Sequence, residues 1–440
     1  MSQWINRKGM TDASLDQWLQ RLESLHPNEI ELGLERVTAV ALRLDLLPLE
    51  QPVITVAGTN GKGSTVAVLE ALLCETGCST GSYTSPHFLR FNERIRVAGR
   101  EVADGEIIAA FALIDEARGE IPLTYFEFAT LAALLVFRTR KPDIVILEVG
   151  LGGRLDAVNV VDPTVAVITS IDLDHQDWLG HSRAEIAREK AGILRRGVPA
   201  VIADAAPPPE LMASASAAGA APVFSLGREF TVDSDAQSWQ GVLCGSGGER
   251  RILARRACGP LLPENICAAL QAALLLGQDF SEEQLQRALT RAQPRGRREI
   301  RRVAGREYVL DVAHNAAAVN KLSEYISATP CNGRTISLFS VMADKDISAM
   351  LKAVSTDFDA WFLADQPANS RAASAADIAA LLRLEGQNMI SVSRNVRQAL
   401  RRAQKIMVEG DRLVVFGSFY TVADVLPLLD VDQEKTGSDS

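Results

Sequence analysis

The sequence predicts an α/β fold with an N-terminal P-loop-type domain on a mostly parallel sheet and a smaller, C-terminal Rossmann-like α/β domain. Three observations support this prediction. Short apolar, β-branched runs alternate with longer helical patterns, a glycine-rich turn follows the first run, and a fresh strand–helix series starts at Tyr308. Strands that alternate with helices predict parallel sheets covered on both faces.

The predicted strands and helices follow one another along most of the chain. Strands are predicted at residues 53–57, 144–147, 165–170, 198–202, 308–312, 335–341, 361–363 and 413–416. Helices are predicted at residues 65–75, 126–139, 183–194, 265–277 and 316–327. Because ligands collect beyond the C-terminal ends of parallel strands, the residues that follow each strand are the candidates for chemistry.

Changes in composition suggest the domain boundaries. Residues 205–221 are rich in Ala and Pro and residues 232–250 are polar and glycine-rich, so we expect loops or weak strands there. Residues 293–306 carry six arginines without a sustained apolar period, which suits an interdomain linker. We therefore place the first domain at residues 1–296, the second at 297–430 and a flexible tail at 431–440.

Charge and composition exclude several classes of function. The 440 residues carry a net charge of −9, so the overall balance attracts neither nucleic acid nor an anionic membrane. The basic run at 293–306 is too short to reverse this. No apolar stretch reaches the ~18 residues of a membrane span, and no signal peptide is evident. The six cysteines form no CxxC pair, which favours buried free thiols. We expect a cytoplasmic protein.

The strongest local motif is VITVAGTNGKGST at residues 53–65, where a strand runs into a glycine-rich turn that opens a helix. Glycines let backbone N–H groups point at phosphate, the helix N-terminus adds its positive dipole end, and Lys62 can reach the β- and γ-phosphates. Ser64 or Thr65 can face the accompanying Mg²⁺. The spacing departs from G-x-x-x-x-G-K-[ST], and a plain turn with a surface lysine is the alternative. The strand–turn–helix context favours phosphate binding, with the candidates Thr59, Asn60, Gly61, Lys62, Gly63 and Ser64.

Three polar residues each follow a predicted strand or the helix after this loop. Glu148 follows the run 144–147, His175 lies in the acidic loop after the next run, and Ser85 comes from a loop after the phosphate-loop helix. A hydroxyl, a carboxylate and an imidazole on one side of the γ-phosphate would suit Mg²⁺, with water and phosphate oxygens completing the coordination. Taken alone, His175 would more often be a hydrogen-bonding loop residue than a metal ligand.

Further sequence blocks extend this pattern over nearly the whole chain. They are ELGLERV (31–37), YTSPHFLRFNERI (83–95), LTYFEFATLAAL (123–134), ILEVGLGGRLDAVN (146–159), TSIDLDHQDWLG (169–180), REKAGI (188–193), LDVAHN (310–315) and FGSFY (416–420). Together with GTNGKGST they resemble the Mur-ligase superfamily and, within it, the folylpolyglutamate synthase branch. The TYFEF and EVGLGGRLDA blocks are specific to the folate enzymes and close to their bacterial bifunctional members.

The resemblance implies an ATP-dependent ligase that joins L-glutamate to dihydropteroate, forming dihydrofolate, and to folylpolyglutamates through an acyl-phosphate. The first domain would bind ATP and the pterin, and the second would bring glutamate. Ser85, Glu148 and His175 would hold one or two Mg²⁺ ions, and K⁺ is a further candidate cation. Lys190 would be carbamylated by CO₂, although composition alone would make it a solvated helical lysine. The candidate catalytic residues are then Lys62, His175, Lys190 and His314.

By resemblance, ATP would be met from across an interdomain cleft by Asn265, Arg297 and Asp311, with Arg295 as the alternative to Arg297. The pterin candidates are Glu29, Ile30, Glu31, Leu32, Thr124, Tyr125, Phe126, Glu127, Leu155, Asp156 and Ala157. Aromatic rings offer stacking faces, and carboxylates accept hydrogen bonds from the pterin. Phe126 and Phe128 could instead be core residues, but at most one of them, because positions two apart do not share a helix face. Candidates for glutamate are His314, Lys345 and Ser418.

Three rival functions stay open at this point. A cell-wall Mur ligase would generally carry a nucleotide-sugar domain ahead of the phosphate loop, and little chain precedes Gly58. A folylpolyglutamate synthase could also lack dihydrofolate synthase activity. A GTPase-like switch would need a guanine-reading NKxD motif, which is absent from the sequence. We expect a monomer whose partners are dihydropteroate, tetrahydrofolate and L-glutamate.

Overall fold

The structure is a computed structural model that describes residues 13–26 and 30–437, with side chains up to residue 430. Glu29, a pterin candidate, lies outside the described residues. The predicted tail at 431–440 begins inside the last helix, which runs to Gly437. Among the described helices, none combines the length and the hydrophobicity needed to span a bilayer.

The first sheet has eight strands in the order β4-β3-β2-β5-β1-β6-β7-β8. Its central strands pair in parallel, and the β2–β3 and β3–β4 pairs at one edge are antiparallel. The strands are β1 Val53–Ala57, β2 Thr80–Tyr83, β3 Ile95–Val97, β4 Arg100–Glu101, β5 Ile144–Glu148, β6 Val165–Ile168, β7 Ala200–Ile202 and β8 Val223–Ser225.

A small antiparallel sheet and a second large sheet follow. The small sheet contains β9 Thr231–Ser234, β10 Ser238–Cys244, β11 Arg250–Ile252 and β12 Arg256–Ala257. The second large sheet has the order β13-β14-β18-β15-β16-β17 and is parallel apart from β13. Its strands are β13 Glu299–Val303, β14 Arg306–Leu310, β15 Thr335–Phe339, β16 Ala360–Ala364, β17 Ile390–Ser393 and β18 Arg412–Phe416. The predicted fold class is confirmed.

The helices lie between the strands and cover both faces of the two large sheets. They are α1 Leu15–Leu25, α2 Glu35–Arg43, α3 Lys62–Glu75, α4 Asp104–Arg118, α5 Tyr125–Arg140, α6 Gln176–Leu179, α7 Arg183–Ala191, α8 Pro209–Ala218, α9 Pro263–Leu275, α10 Glu282–Arg291, α11 Ala316–Ala328, α12 Ile347–Val354, α13 Ala375–Leu384, α14 Val396–Ile406 and α15 Phe419–Gly437. Two 3₁₀ turns add Phe91–Arg94 and Ala157–Val160.

Burial on both faces explains why the strands appear as unbroken apolar runs. All five residues of β1 are buried, and they alternate between two cores. Val53 and Ala57 pack into the core on one side of the first sheet, whereas Ile54 and Val56 pack into the core on the other. The second sheet is covered in the same way by two further cores.

Two predictions about local structure were wrong. Part of the segment expected to be loops or weak strands forms α8, because alanine is the best helix former and a proline suits the first turn. Leu211 and Ala215 anchor this helix. The predicted linker at 293–306 ends early, because Glu299–Val303 forms β13 at the edge of the second sheet. An edge strand with alternating exposure needs no apolar run, so its sequence resembled a linker.

The cysteine prediction holds in part. All six cysteines are free, but only Cys267 is fully buried and Cys258 is exposed.

Candidate active site

A cavity of about 400 Å³ lies between the two large sheets, beyond the carboxyl ends of β1, β5, β6 and β14. It brings together predicted residues from both halves of the chain. Those that line it are Thr59, Asn60, Gly61, Lys62, Gly63, Ser64, Ser85, Glu148, His175, Lys190, Asn265, Arg297, Asp311 and His314.

The phosphate loop is fixed by close packing against β6. Gly58 has φ +151°, and a Cβ at this position would lie 1.7 Å from Thr169 Oγ1. The Thr169 hydroxyl donates a hydrogen bond of 2.7 Å to the Asn60 carbonyl. Gly61, with φ +91°, precedes α3, and a Cβ there would lie 2.3 Å from Asn265 Oδ1. The loop therefore leaves its backbone N–H groups at the start of α3 facing the cavity, as an anion requires.

We expect Gly58→Ala to remove nucleotide binding and to lower the free energy of unfolding by about 1–3 kcal/mol, because the added methyl group cannot coexist with Thr169. Isothermal calorimetry with ATP and thermal unfolding would measure both effects. Gly105→Ala is the matched control, since a Cβ at Gly105 meets no atom within 4 Å. An ATP affinity unchanged by Gly58→Ala would contradict this account of the loop.

Lys62 lies inside the phosphate loop. Its Nζ donates hydrogen bonds to the carbonyls of Gly58, at 3.0 Å, and Thr59, at 3.2 Å. Burial lowers the pKa of Lys62, while the nearby carboxylates of Glu148 and Asp174 act in the opposite direction. The ammonium group is therefore held over the position that a triphosphate on this loop would occupy.

Glu148, Ser85 and His175 line the same cavity beside the loop. Glu148 ends β5, and its Oε2 accepts a hydrogen bond of 3.2 Å from the Ser85 N–H. Burial raises the pKa of Glu148, and burial lowers the pKa of His175 to about 4, which leaves a neutral imidazole.

This donor set of carboxylate, hydroxyl and neutral imidazole fits a divalent cation whose remaining ligands are phosphate oxygens and water. Among the side chains of residues 13–26 and 30–430, no three His, Cys, Asp or Glu groups form a cluster that could hold a metal ion. The three predicted ligands include only two such residues, so phosphate would have to complete the site. Ser64 also lines the cavity, and the neighbouring Thr65 hydroxyl is buried without a hydrogen-bond partner.

Lys190 is in the last turn of α7 and lines the cavity, although its residue is only 4% exposed. Burial, together with the charge of Lys62, lowers the pKa of Lys190 to about 7. Two glycines let the loop after β5 lie against this helix. A Cβ at Gly153 would lie 2.9 Å from the Glu189 carbonyl, and one at Gly192 would lie 2.4 Å from the Arg154 Cα. The solvated lysine alternative is therefore wrong.

The second half of the chain contributes Arg297, Asp311 and His314 from the start of its sheet. The Arg297 guanidinium lies 5.0 Å from the centroid of the Phe419 ring, and burial lowers its pKa. Asp311 accepts hydrogen bonds from the N–H groups of Ala313, at 2.7 Å, and Arg298, at 3.0 Å. Burial raises the pKa of Asp311.

The alternative to Arg297 points elsewhere. Arg295 lines a separate cavity of about 310 Å³ and forms an ion pair of 3.5 Å with Glu93. Arg297 lines both cavities. The geometry therefore favours Arg297 as the residue that reaches the phosphate loop.

The glutamate candidates occupy different environments. His314 lines the main cavity, and its two ring nitrogens lie 2.7 Å from the Val312 carbonyl and 3.1 Å from Asp174 Oδ2. Both neighbours of the ring are hydrogen-bond acceptors. Lys345 pairs with Asp174 at 2.6 Å. Ser418 is buried in hydrogen bonds with Gln366 and Thr421 and does not line the main cavity.

Five of the eleven pterin candidates form a separate group behind this cavity, which we call the acceptor wall: Tyr125, Phe126, Leu155, Asp156 and Ala157. A Cβ at Gly150 would lie 2.5 Å from the Phe126 ring, and Asp156 Oδ2 accepts a hydrogen bond of 2.8 Å from the Leu151 N–H. Burial raises the pKa of Asp156 to about 6. Phe128 is fully buried in the core and Phe126 is not, as predicted.

The five other described candidates adjoin the acceptor wall through structural contacts. Thr124 and Glu127 form the capping box of α5, and Glu127 also lies 3.2 Å from Arg36 Nη2. Glu31 pairs with the same arginine. Ile30 and Leu32 precede Gly33, whose N–H donates to the Leu155 carbonyl at 3.3 Å. The segment around residue 30 is thereby attached to the acceptor wall.

Sequence reasoning missed two residues that line the cavity. Asp174 was noted only as part of an acidic loop, although it accepts hydrogen bonds from three residues of the second half. Phe419, which lies under Arg297, was passed over within the FGSFY block. The position of Phe419 at the start of α15, shortly after β18 ends, was the available signal, because ligands collect beyond strand ends.

Known protein families and relatives match this chain over most of its length. Residues 56–270 match the Mur ligase middle domain, and residues 296–419 match the Mur ligase glutamate ligase domain. Dihydrofolate synthase/folylpolyglutamate synthase of Escherichia coli is 40% identical over 427 residues, which cover 97% of this chain and 98% of that protein.

Solved structures match over the same length. Escherichia coli FolC in complex with DHPP and ADP has a TM-score of 0.90 at 38% identity, and the match covers 96% of this chain and 99% of that one. The Yersinia pestis bifunctional enzyme complexed with AMPPNP and Mn ion has a TM-score of 0.87 at 40% identity, with the same coverage.

The fold and the cavity at the phosphate loop define a Mur ligase. At this identity over nearly the full length, the chain belongs to the bacterial dihydrofolate synthase/folylpolyglutamate synthase family. The predicted family is confirmed.

Proposed function

We propose that the chain joins L-glutamate to dihydropteroate, forming dihydrofolate, and to folylpolyglutamates, with release of ADP and phosphate. The observation that carries the proposal is the single cavity where the phosphate loop, Glu148 and Lys190 face Arg297 and Asp311 of the second sheet. Relatives that match almost the whole chain are named for both activities, and solved relatives hold ADP with DHPP, or AMPPNP with Mn.

The first step activates a poor electrophile. An acceptor carboxylate attacks the γ-phosphate of ATP in line, the bond to the β-phosphate oxygen breaks, and ADP leaves. Lys62 and Arg297, which are partly buried and line the cavity, neutralise charge on the phosphoryl oxygens. Mg²⁺ held by Ser85, Glu148 and His175 would add positive charge at the same oxygens.

The second step forms the amide bond. The amine of glutamate attacks the carbonyl carbon of the acyl-phosphate, a proton leaves the amine, and phosphate departs. We propose that the second domain, at 297–430, supplies the glutamate site near His314 and Lys345, and that the first domain ends at 296. Both side chains contact Asp174 at the domain contact, where Lys345 is 7% and His314 is 22% exposed, which supports this.

The acceptor wall suits a pterin. Phe126 offers a ring face, and Asp156 offers a buried carboxylate beside it. We propose that dihydropteroate and tetrahydrofolate both lie against this wall, with their carboxylates directed toward the phosphate loop.

Finer features complete the proposal. A carbamate on Lys190 would turn a buried cation into an anion beside the metal site, and K⁺ is a candidate second cation. One or two Mg²⁺ ions are compatible with this donor set. We also propose that the protein acts as a cytoplasmic monomer on small molecules, without nucleic acid or membrane partners.

A phosphate-release and amide-formation assay tests the function. Purified protein would be incubated with ATP, Mg²⁺ and L-glutamate. Dihydropteroate, tetrahydrofolate and a UDP-muramyl compound would then be compared as the acceptor. We expect amide formation with the first two acceptors and none with the third. Activity with tetrahydrofolate alone would support a folylpolyglutamate synthase without dihydrofolate synthase activity, and phosphate release without any acceptor would contradict ligation.

A further inference from the structure

Asp174 lies in the loop after β6 and is buried against the second domain. Its carboxylate accepts hydrogen bonds from three side chains of that domain: Lys345 Nζ at 2.6 Å, His314 Nε2 at 3.1 Å and Asn315 Nδ2 at 3.1 Å. The side chains of Asp174 and Lys345 are 5% and 7% exposed. One buried carboxylate of the first domain therefore gathers three donors from the second.

The same contact is tied to the phosphate loop. Asn60 and Asn315 exchange two side-chain amide hydrogen bonds of 3.1 Å each. Asn315 is also the N-cap of α11, where its Oδ1 accepts a hydrogen bond of 3.0 Å from the Ala318 N–H. The start of α11 is thus fixed to the phosphate loop and to Asp174 at once.

Because this contact contains charged groups, its energy depends strongly on whether the two domains stay together. Lys345 keeps a second carboxylate, Asp344, at 3.3 Å, whereas Asp174 would lose all three donors of the second domain if the domains separated. A buried ion pair contributes little net stability, but a buried charge without its partner is strongly unfavourable. The pair therefore favours one arrangement of the domains rather than adding to the stability of either.

We propose that Asp174 is a positioning residue that clasps the second domain onto the phosphate loop and sets the directions of Lys345 and His314. The clasp consists of Asp174, Lys345, His314, Asn315 and Asn60. This inference rests on the proposed ligase function.

The clasp has a chemical consequence. Between the two steps the acyl-phosphate must meet the glutamate amine before it meets water. If water attacks instead, its oxygen bonds to the carbonyl carbon, phosphate leaves, and the acceptor acid is regenerated. Each such event releases one phosphate without an amide bond, so a loosened clasp is read as phosphate released in excess of amide.

The test compares two variants from the second domain, Lys345→Met and Asn315→Ala, with Arg302→Met as the control. Arg302 belongs to an exposed ion pair with Glu307 inside the second domain. We expect phosphate released per amide to rise several-fold in both variants and to stay at the wild-type value in the control, while the KM for ATP changes little. The ratio reports closure, which a merely destabilised protein would not alter.

A double-mutant cycle makes the test sharper. If Asp174 and Lys345 act as one unit, Asp174→Asn combined with Lys345→Met should be little worse than either alone. Additive effects would overturn the clasp. So would an unchanged ratio in Lys345→Met with only a raised KM for glutamate, which would make Lys345 a substrate contact. Asn315→Ala provides the same readout without removing a charge if Lys345→Met fails to fold. A wild-type protein that forms no amide would instead overturn the proposed function itself.

Discussion

Lys62→Ala should lower kcat/KM for glutamate ligation by about two to three orders of magnitude, the usual loss when one preorganised donor at a developing charge is removed. The ammonium group is held by the Gly58 and Thr59 carbonyls at 3.0 and 3.2 Å, so it is already in place before phosphate arrives. Alanine removes that charge and leaves the loop glycines untouched. Radiolabelled glutamate incorporation at saturating and limiting ATP would separate kcat from KM.

Stability should respond differently from activity. Burial lowers the pKa of Lys62, which means that the folded protein disfavours the charged form of this partly buried side chain. We therefore expect the melting temperature of Lys62→Ala to equal or exceed that of the wild type. Lys405→Ala, on the exposed side of α14, is the control for loss of a lysine. Ligation by Lys62→Ala within tenfold of the wild type would remove Lys62 from its assigned role.

Lys190→Ala should reduce ligation by about 10–100-fold, the range for a residue that supports a metal site. The ligation activity of the wild type should also depend on CO₂ and on pH. Because the pKa of Lys190 is lowered to about 7, its amine is mostly ammonium below pH 7 and mostly neutral above it. Only the neutral amine attacks CO₂, so carbamate formation becomes faster as pH rises through 7.

The measurement starts from protein depleted of CO₂. Bicarbonate buffers adjusted to the same concentration of dissolved CO₂ should restore activity faster at pH 8 than at pH 6, and intact mass spectrometry under native conditions should detect the CO₂ adduct. Lys190→Ala provides the control, because it should not respond to bicarbonate at either pH. Full activity of the depleted wild type at both pH values would show that Lys190 works as an amine.

The strands of the two large sheets could be predicted well from the sequence, and the long-range side-chain contacts could not. Parallel strands buried on both faces leave unbroken apolar runs such as residues 53–57, so they were visible. The edge strand β13 was missed because two of its five residues are exposed and only Val303 is buried. The phosphate loop was visible because its chemistry is local and follows a strand.

Asp174 shows what local patterns cannot supply. Its partners His314 and Lys345 are 140 and 171 positions away, so no spacing connects them in a single sequence. The capping box of Thr124 and Glu127 shows the reverse case. Its T-x-x-E spacing is a local signal for a helix start, whereas the family resemblance predicts pterin contacts for the same two residues. Their contacts are those of a helix cap, and a pterin role for them stays a prediction.

The acceptor wall lies apart from the nucleotide cavity, with the Gly150 loop between Phe126 and the phosphate loop. If the pterin lies against this wall as proposed, a flat heteroaromatic inhibitor that covers only Phe126 and Asp156 would compete with the folate acceptor and leave ATP affinity unchanged. An inhibitor design could extend such a ring past Gly150 with an acidic or phosphonate arm. That bisubstrate compound would occupy the acceptor wall and the nucleotide cavity together. Its selectivity over ordinary kinases would come from the ring on the acceptor wall, which a nucleotide site alone does not provide.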